Sequence, residues 1–304
     1  GDGANWIDNW MPPVVTGSIV AVIGLNLAPI AVKGAMGGTT FEALMALLTV
    51  LCVGGVAVYT RGVTQRLLIL VGLLLACFLY WVLANGMGFG TPMDFSGVAS
   101  AAWFGLPTFS SPVFEVGAMS VIAPVAIILV AENLGHIKAV TAMTGQNLDK
   151  YLGRAFVGDG VATMVSGAVG GTGVTTYAEN IGVMTVTRIY ASLVFVIAAL
   201  IAIFLGFSPK FGALIQLIPG PVLGGMSIVV FGLIAIAGAR IWVVNQVDFS
   251  NNRNLIVASV TLVLGAGNFG LQLGAFRLDG IGTATFGAII LYALLRIGSR
   301  GKSL

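Results

Sequence analysis

The stretch FVGDGVATMVSGAVGGTGVTTYAENIGVMTVT, residues 156–187, indicates the fold class of this chain. It contains two apolar segments, 156–170 and 179–187, that are too short and too rich in glycine to cross a bilayer alone, since a helical crossing takes about 20 residues. Between them, Gly170–Tyr177 favours extended backbone. Such backbone at membrane depth is tolerated only against protein or a cavity. The stretch therefore predicts a broken helix beside a buried site in a membrane protein.

The composition excludes a soluble enzyme. Only 8% of the 304 residues are charged and 58% are hydrophobic, whereas soluble domains carry about 25% charged residues. The net charge of +3 gives no indication of a nucleic-acid partner. Cys52 and Cys77 lie in apolar runs and are interpreted as small packing residues without a disulfide. The chain is predicted to be an all-α polytopic membrane protein.

Apolar runs predict ten membrane segments, two of them the short ones already described. They are residues 12–31, 41–60, 67–84, 116–134, 156–170, 179–187, 193–207, 221–239, 254–267 and 281–297.

The distribution of Lys and Arg predicts the orientation. With a cytoplasmic N-terminus and ten segments, eleven of the fourteen Lys and Arg residues fall inside, and only Lys33, Lys210 and Arg277 fall outside. The C-terminus is then cytoplasmic.

The chain contains an internal repeat. Residues 13–25 align without gaps on residues 221–233, with six of thirteen positions identical at an offset of 208 residues. The same offset places 41–60 and 67–84 close to later spans, and the predicted topology makes the two copies inverted, as in many secondary transporters. Residues 116–220 would then need a partner of which only about 12 residues are present. We therefore expect that about 90 residues with four segments belong before residue 1.

Ionisable residues within membrane segments are candidates for function, because each costs about 2.5–3.5 kcal/mol to insert. Glu132 and His136, the only histidine, stand four residues apart on one helical face. Glu179 opens the short helix after the extended stretch, and Asp159 lies in the segment before it. A buried carboxylate can accept hydrogen bonds from ring N–H groups, and an imidazole can transfer protons near neutral pH.

Structural explanations stay open for each of these residues. Glu132 and His136 could form a buried structural pair, Asp159 could cap the broken backbone, and Glu179 could cap the short helix. Two carboxylates and a histidine could also bind a divalent metal, although no further ligands stand close by in sequence. Arg188 could simply follow the positive-inside rule. We expect no metal and no cofactor other than protons as the coupling ion.

Two motifs resemble those of the nucleobase–ascorbate transporter family, also called nucleobase:cation symporter-2. Residues 179–188, ENIGVMTVTR, are similar to the family signature at Glu179, Asn180, Gly182, Thr187 and Arg188. Residues 131–136, AENLGH, resemble the family's acidic and histidine segment, and Thr175-Thr176-Tyr177 also fits. The resemblance covers essentially the whole chain.

The resemblance implies a fold of two inverted repeats of seven segments each, of which the first four are expected to precede residue 1. Substrate would lie between two short strands in broken helices. The domains implied are 1–100, the first half of a gate domain; 101–218, the second half of a core domain; and 219–304, the second half of the gate. Members of the family often pair through their gate domains, which implies a homodimer.

The resemblance further implies proton-coupled import of uracil or a related pyrimidine base across the lipid bilayer by alternating access. Glu132 and Glu179 would bind the base with Tyr177 and the backbone of Ala178. His136, Glu132 and Ser227 would take part in proton coupling. Alternatives are a purine (xanthine or urate) permease of the same family, an anion exchanger on the same fold, or an inactive fragment.

Two departures from the uracil carriers bear on the site. Ala178 stands where they have Gly, so that the extra methyl group is expected to narrow the pocket. Phe231 stands where they have a Tyr four residues after the equivalent of Ser227, so a hydroxyl of the proton network is missing.

Overall fold

The computed structural model is predominantly helical and describes residues 11–177, 180, 184, 188–273 and 276–300. The first half of the chain begins with three long helices and their connections. These are α1 (Pro13–Met36), α2 (Thr40–Tyr59), the single turn α3 (Val63–Arg66), α4 (Leu68–Trp81) continued by a π turn (Val82–Gly86), and the short α5 (Ser96–Ser100).

The second half begins with a longer helix and contains the hairpin. Its elements are α6 (Val116–Thr144), a 3-10 turn (Asp149–Tyr151), α7 (Leu152–Ala168), α8 (Ser192–Gly206), α9 (Pro209–Gln216), α10 (Gly220–Val244), α11 (Asn252–Ala266), β1 (Leu271–Leu273), β2 (Phe276–Leu278) and α12 (Gly280–Arg300).

Several helices could cross a membrane. Within the described residues, four are long and apolar enough: α1, α2, α4 with its π turn, and α10. Helices α8 and α9 together meet the same test as one segment bent by 84°. The bend has a local cause, because the Ser208 side chain accepts a hydrogen bond of 3.3 Å from the Phe211 N–H and Pro209 occupies the first turn of α9.

The helices agree with the predicted spans. Every predicted span other than 179–187 coincides with a helix of the structure, and α6 runs ten residues beyond the predicted end at 134. Short strands were expected in the broken helices at the substrate site. The strands that the structure describes lie elsewhere: β1 and β2 form an antiparallel hairpin between α11 and α12, in which Leu271 pairs with Leu278. Extended backbone was expected over Gly170–Tyr177, and residues 171–177 of that stretch belong to neither a helix nor a strand.

The chain divides into two compact units. Unit 1 comprises residues 1–30, 113–133 and 230–304, and unit 2 comprises residues 31–112 and 134–229. The predicted gate and core boundaries, 1–100, 101–218 and 219–304, remain a proposal.

In unit 1, α1 packs closely on α10. A methyl group added at Gly17 would overlap the Trp242 ring, and one at Gly24 would lie 2.6 Å from the Ala235 nitrogen. The Trp242 indole N–H also donates to the Val14 carbonyl at 3.3 Å. Small residues let two helix backbones approach in this way without the hydrophobic effect that drives packing in water. Helices α11 and α12 form a second packed pair in this unit.

In unit 2, α2 packs on α4 around a core that the start of α10 completes. The buried residues of this core are Met45, Cys52, Ala76, Tyr80, Ala84 and Val222. Helix α2 begins with a capping box: the Glu42 N–H donates to Thr39 Oγ1 at 3.2 Å, and Glu42 Oε2 accepts from the Gly38 and Thr39 N–H groups at 2.6 and 3.1 Å. The cap fixes where the chain turns back into the membrane segment.

Candidate functional site

The described candidate residues are concentrated in unit 2, on α6, on α7 and on the connecting segment that follows. We use "connecting segment" for residues 171–177, which lie between the end of α7 and the signature. His136 is half-buried on α6, where it follows Glu132 by one helical turn. The structure thus keeps the predicted spacing of these two residues on one helix.

A hydrogen bond joins α6 to the connecting segment. His136 Nδ1 lies 2.7 Å from Thr176 Oγ1, although the residues are 40 positions apart in sequence. Whether the ring or the hydroxyl donates depends on the tautomer of the imidazole. The structure therefore places the candidate proton carrier against the backbone that leads into the signature.

Hydroxyl groups of α7 hold the connecting segment at its other end. Thr163 Oγ1 donates to the Val174 carbonyl at 3.0 Å and accepts from the Val174 N–H at 3.3 Å. Ser166 Oγ donates to the Thr172 carbonyl at 2.6 Å. These contacts satisfy backbone groups that no helix or strand satisfies, as membrane depth requires. Sequence reasoning missed both hydroxyls, although their spacing of three residues places them on one face of α7.

The turn from α7 into the connecting segment depends on Gly170. Its φ of 88° lies in the left-handed region that favours glycine, and an added Cβ would lie 3.0 Å from the Ser110 nitrogen. The Ser110 N–H donates to the Val169 carbonyl at 3.3 Å, which fixes the loop before α6 against the end of α7. Gly170 therefore has both a conformational and a steric reason to be glycine.

The signature is described in part. Tyr177 is 62% exposed, and its carbonyl accepts from the Asn180 N–H at 3.2 Å. Asn180 and Met184 are helical, and the Arg188 N–H donates to the Met184 carbonyl at 2.8 Å. Arg188 has a φ of 54°, a conformation common where a helix ends. Asn180 and Met184 are thus helical where the sequence predicts a short helix, and the other residues of 179–187 lie outside the described residues.

Several predicted site residues lie outside the described residues. They are Ala178, Glu179, Gly182 and Thr187, together with the side chain of Glu132, whose backbone is part of α6.

Ser227 lies on α10, where its hydroxyl donates to the Leu223 carbonyl of the same helix at 2.8 Å. Phe231 follows one turn later and supplies no hydroxyl, as the sequence indicates. Within the described residues, no three His, Cys, Asp or Glu residues gather in a way that could hold a metal ion.

Unit 2 also has a cavity of about 560 Å³ away from these residues. It lies between the start of α2, the end of α4 and the α9–α10 connection, and its polar lining includes Glu42, Tyr80, Asp94 and Gln216. Glu42 is occupied by the cap of α2, and both Asp94 oxygens accept from Ser96. Three of these polar groups therefore already have partners, because the Tyr80 hydroxyl also donates to the Thr91 carbonyl at 2.8 Å.

Comparison with known proteins identifies the family. A family model described as "Permease family" matches residues 2–273. "Putative pyrimidine permease RutG" of Escherichia coli (strain K12) is 68% identical over 293 residues, which cover 96% of this chain and 66% of that protein. Uracil permeases of Bacillus caldolyticus and Bacillus subtilis (strain 168) are 38% and 36% identical, over 96% of this chain and 69% and 70% of theirs.

The chain thus spans about two thirds of the length of these curated relatives. All of them are named as permeases, that is, transporters and not enzymes. Together with the long apolar helices, the match shows that the chain is a multi-pass membrane protein. It belongs to this permease family, the nucleobase–ascorbate transporter family, and is uracil permease-like.

Proposed function

We propose that the protein imports uracil or a related pyrimidine base together with protons, by alternating access, across the bacterial inner membrane. The names of its relatives support a pyrimidine substrate. The observation that carries the site is the 2.7 Å hydrogen bond between His136 and Thr176, because it brings an imidazole, the side chain most often used for proton transfer, to the segment that enters the signature.

In this proposal, Glu179 and Glu132 accept hydrogen bonds from the ring N–H groups of the base. Tyr177 and the Ala178 backbone complete its binding. Charged acceptors suit this role because a hydrogen bond to a charged group contributes about 1.5–3 kcal/mol, more than a neutral one. Protons would be carried by His136 with Glu132 and Ser227, and no other cofactor is needed.

We further propose the inverted architecture for the whole carrier, with the C-terminus cytoplasmic and pairing through the gate domain. The packing of α1 on α10 in unit 1 supports it. Gly17 of α1 faces Trp242 of α10, and Gly24, two turns later in α1, faces Ala235, two turns earlier in α10. The two helices therefore run antiparallel. At the offset of 208 residues, Gly24 is equivalent to Gly232. Gly24 packs against the carbonyl oxygen of Phe231, the residue next to Gly232. Such a contact suits a two-fold axis that exchanges the copies.

The test is uptake of labelled uracil by the protein in liposomes, with and without an imposed pH gradient, acid outside. We expect Glu179→Gln and Glu132→Gln each to lower uptake by about 10- to 100-fold, the loss of one charged hydrogen bond. Glu115→Gln is the control, because Glu115 is an exposed carboxylate just before α6. Full uptake in either site variant would refute that residue's role.

Competition tests the choice of substrate. Unlabelled uracil should compete with the label, whereas xanthine and urate should not at the same concentration. Stronger competition by xanthine would assign the protein to the purine carriers. Sulfate exchange without any uracil uptake would assign it to the anion exchangers.

A further inference from the structure

We propose that Thr176 is a positioning residue for proton coupling, and that its hydroxyl holds His136 against the connecting segment in both protonation states of the imidazole. The inference rests on the proposed function, which gives His136 its role. It adds a residue outside the signature and links the proton site to the substrate segment.

The geometric basis is a side-chain bond between two separate elements. The 2.7 Å distance from His136 Nδ1 to Thr176 Oγ1 is at the short end for a nitrogen–oxygen pair. Thr176 stands three residues before Glu179 in the chain, so the bond ties α6 to backbone adjoining the proposed substrate carboxylate.

The chemistry of a hydroxyl suits a group that gains and loses a proton. A hydroxyl can both donate and accept, whereas a carbonyl can only accept. When Nδ1 is bare, the Thr176 O–H donates to it. When Nδ1 carries a proton, Nδ1–H donates to Oγ1 and the hydroxyl hydrogen turns elsewhere. One oxygen atom thus serves both states, and the bond reverses its direction.

Two hydroxyl groups of α7 hold the connecting segment at the end near that helix. Thr163 and Ser166 bind the backbone of Val174 and Thr172, upstream of Thr176. The His136 bond holds the segment two residues farther along, at Thr176, which stands three residues before Glu179. We infer that a shift of His136 on protonation is passed to the signature through Thr176.

Substitution of Thr176 by valine changes no charge around His136. The elements that meet here carry other ionisable residues, which the variant leaves in place. They are Glu132 and Lys138 on α6, Arg154 and Asp159 on α7, and Tyr177 on the connecting segment. A change in proton dependence in the variant therefore follows from the lost hydroxyl.

The adjacent threonine provides a matched control. In the part of the chain that the structure describes, Thr175 Oγ1 is buried and has no hydrogen-bond partner, so Thr175→Val keeps the shape and loses no described bond. Thr176→Val keeps the shape and loses the bond to His136. Thr176→Ser keeps the hydroxyl, and Thr176→Ala removes it with less bulk.

The experiment compares two modes of transport in liposomes: uracil accumulation driven by a pH gradient, and exchange of labelled for unlabelled uracil without a gradient. Exchange returns the loaded carrier with its proton still bound, so it needs no net proton release. We expect Thr176→Val and Thr176→Ala to lower accumulation about tenfold, the equivalent of one hydrogen bond, and to leave exchange within about twofold. Thr176→Ser and Thr175→Val should match the unchanged protein in both modes.

Two results would overturn the inference: equal accumulation in Thr176→Val and Thr175→Val, or an equal loss of accumulation and exchange that Thr176→Ser does not restore. Failure of the proposed function looks different. In that case the unchanged protein itself shows no accumulation of uracil that depends on the gradient.

Discussion

Asn26 Nδ2 donates a hydrogen bond of 2.7 Å to the carbonyl oxygen of Gly265, 239 residues later in the chain. The bond joins the middle of α1 to the end of α11, both in unit 1. The same nitrogen lies 3.4 Å from Asn268 Oδ1, which accepts from the Gly280 N–H at 3.0 Å at the start of α12. The Asn26 and Asn268 side chains together thus connect α1, the end of α11 and the start of α12.

Asn26→Leu should destabilise the protein. The change keeps the approximate volume and removes the donor, so the expected cost is about 0.5–2 kcal/mol. Thermal unfolding in detergent measures it as a lower Tm. Asn245→Ala is the control, because the exposed Asn245 side chain follows α10 and donates to the nearby Ile241 carbonyl of that helix, a contact local in sequence. Equal Tm values for the two variants would show that the α1–α11 bond contributes nothing.

Two glycines that the repeat makes equivalent should respond in opposite directions to alanine. A Cβ at Gly24 would overlap the Phe231 carbonyl oxygen and lie 2.6 Å from the Ala235 nitrogen, both backbone atoms of α10. At Gly232 nothing lies within 4 Å of the added atom. Gly24→Ala should therefore lower the free energy of unfolding by about 1–3 kcal/mol, while Gly232→Ala should raise it by up to about 1 kcal/mol through helix propensity. Parallel Tm measurements decide, and a fall of the same size in both variants would contradict the packing.

Much of the fold could be predicted because apolar runs of helical length have few alternatives in a membrane. That is why spans such as 41–60 and 221–239 coincide with α2 and α10. The different packing of Gly24 and Gly232 could not be predicted from the sequence, because it depends on which backbone atoms lie opposite each glycine. The hairpin Leu271–Leu278 was missed for another reason: two strands of three residues are too short to show an alternating pattern.

The same limit applies to the candidate site. The residue types and spacing of Glu132 and His136 were visible in sequence because charge in an apolar run is conspicuous. The partnership of His136 with Thr176 was not, because a threonine is unremarkable beside an apolar helix and the two are 40 residues apart. Local hydroxyl spacing on α7 was the one signal that could have located the contacts to Val174 and Thr172.

The loop before α5 should show an acid-dependent change centred on Asp94. Two hydrogen bonds of 2.8 Å lower the pKa of Asp94 from its ordinary value. The larger effect comes from the Ser96 N–H and the smaller one from the Ser96 hydroxyl. Because the folded-state pKa is lowered, the contribution of this turn is present above the ordinary aspartate pKa of about 3.9 and is lost as the pH falls through the folded value. Ser96→Ala removes the hydroxyl contact, so the pKa of Asp94 should rise.

Carboxyl carbon NMR on protein labelled at aspartate measures this shift. Asp248 provides the internal control, because Ser250 lowers its pKa through the same kind of contacts and the Ser96 variant leaves them intact. Movement of the Asp248 resonance together with that of Asp94 would indicate a general change of structure. An unmoved Asp94 pKa would show that the Ser96 hydroxyl does not act on it.

Thr163→Val should weaken uracil binding without removing the helix that carries it. The Thr163 hydroxyl satisfies both the N–H and the carbonyl of Val174, and valine leaves both backbone groups without that partner. The two lost contacts cost about 0.5–1.5 kcal/mol each, so the connecting segment should hold its bound conformation less often and the KM for uracil should rise about 5- to 150-fold. Met164→Leu, one residue along α7, is the control, since Met164 is exposed and the change preserves volume. The connecting segment includes Tyr177 and leads directly to the signature, so the KM measured from uptake kinetics should rise in Thr163→Val and not in Met164→Leu. An unchanged KM in Thr163→Val would show that the segment keeps its conformation without α7.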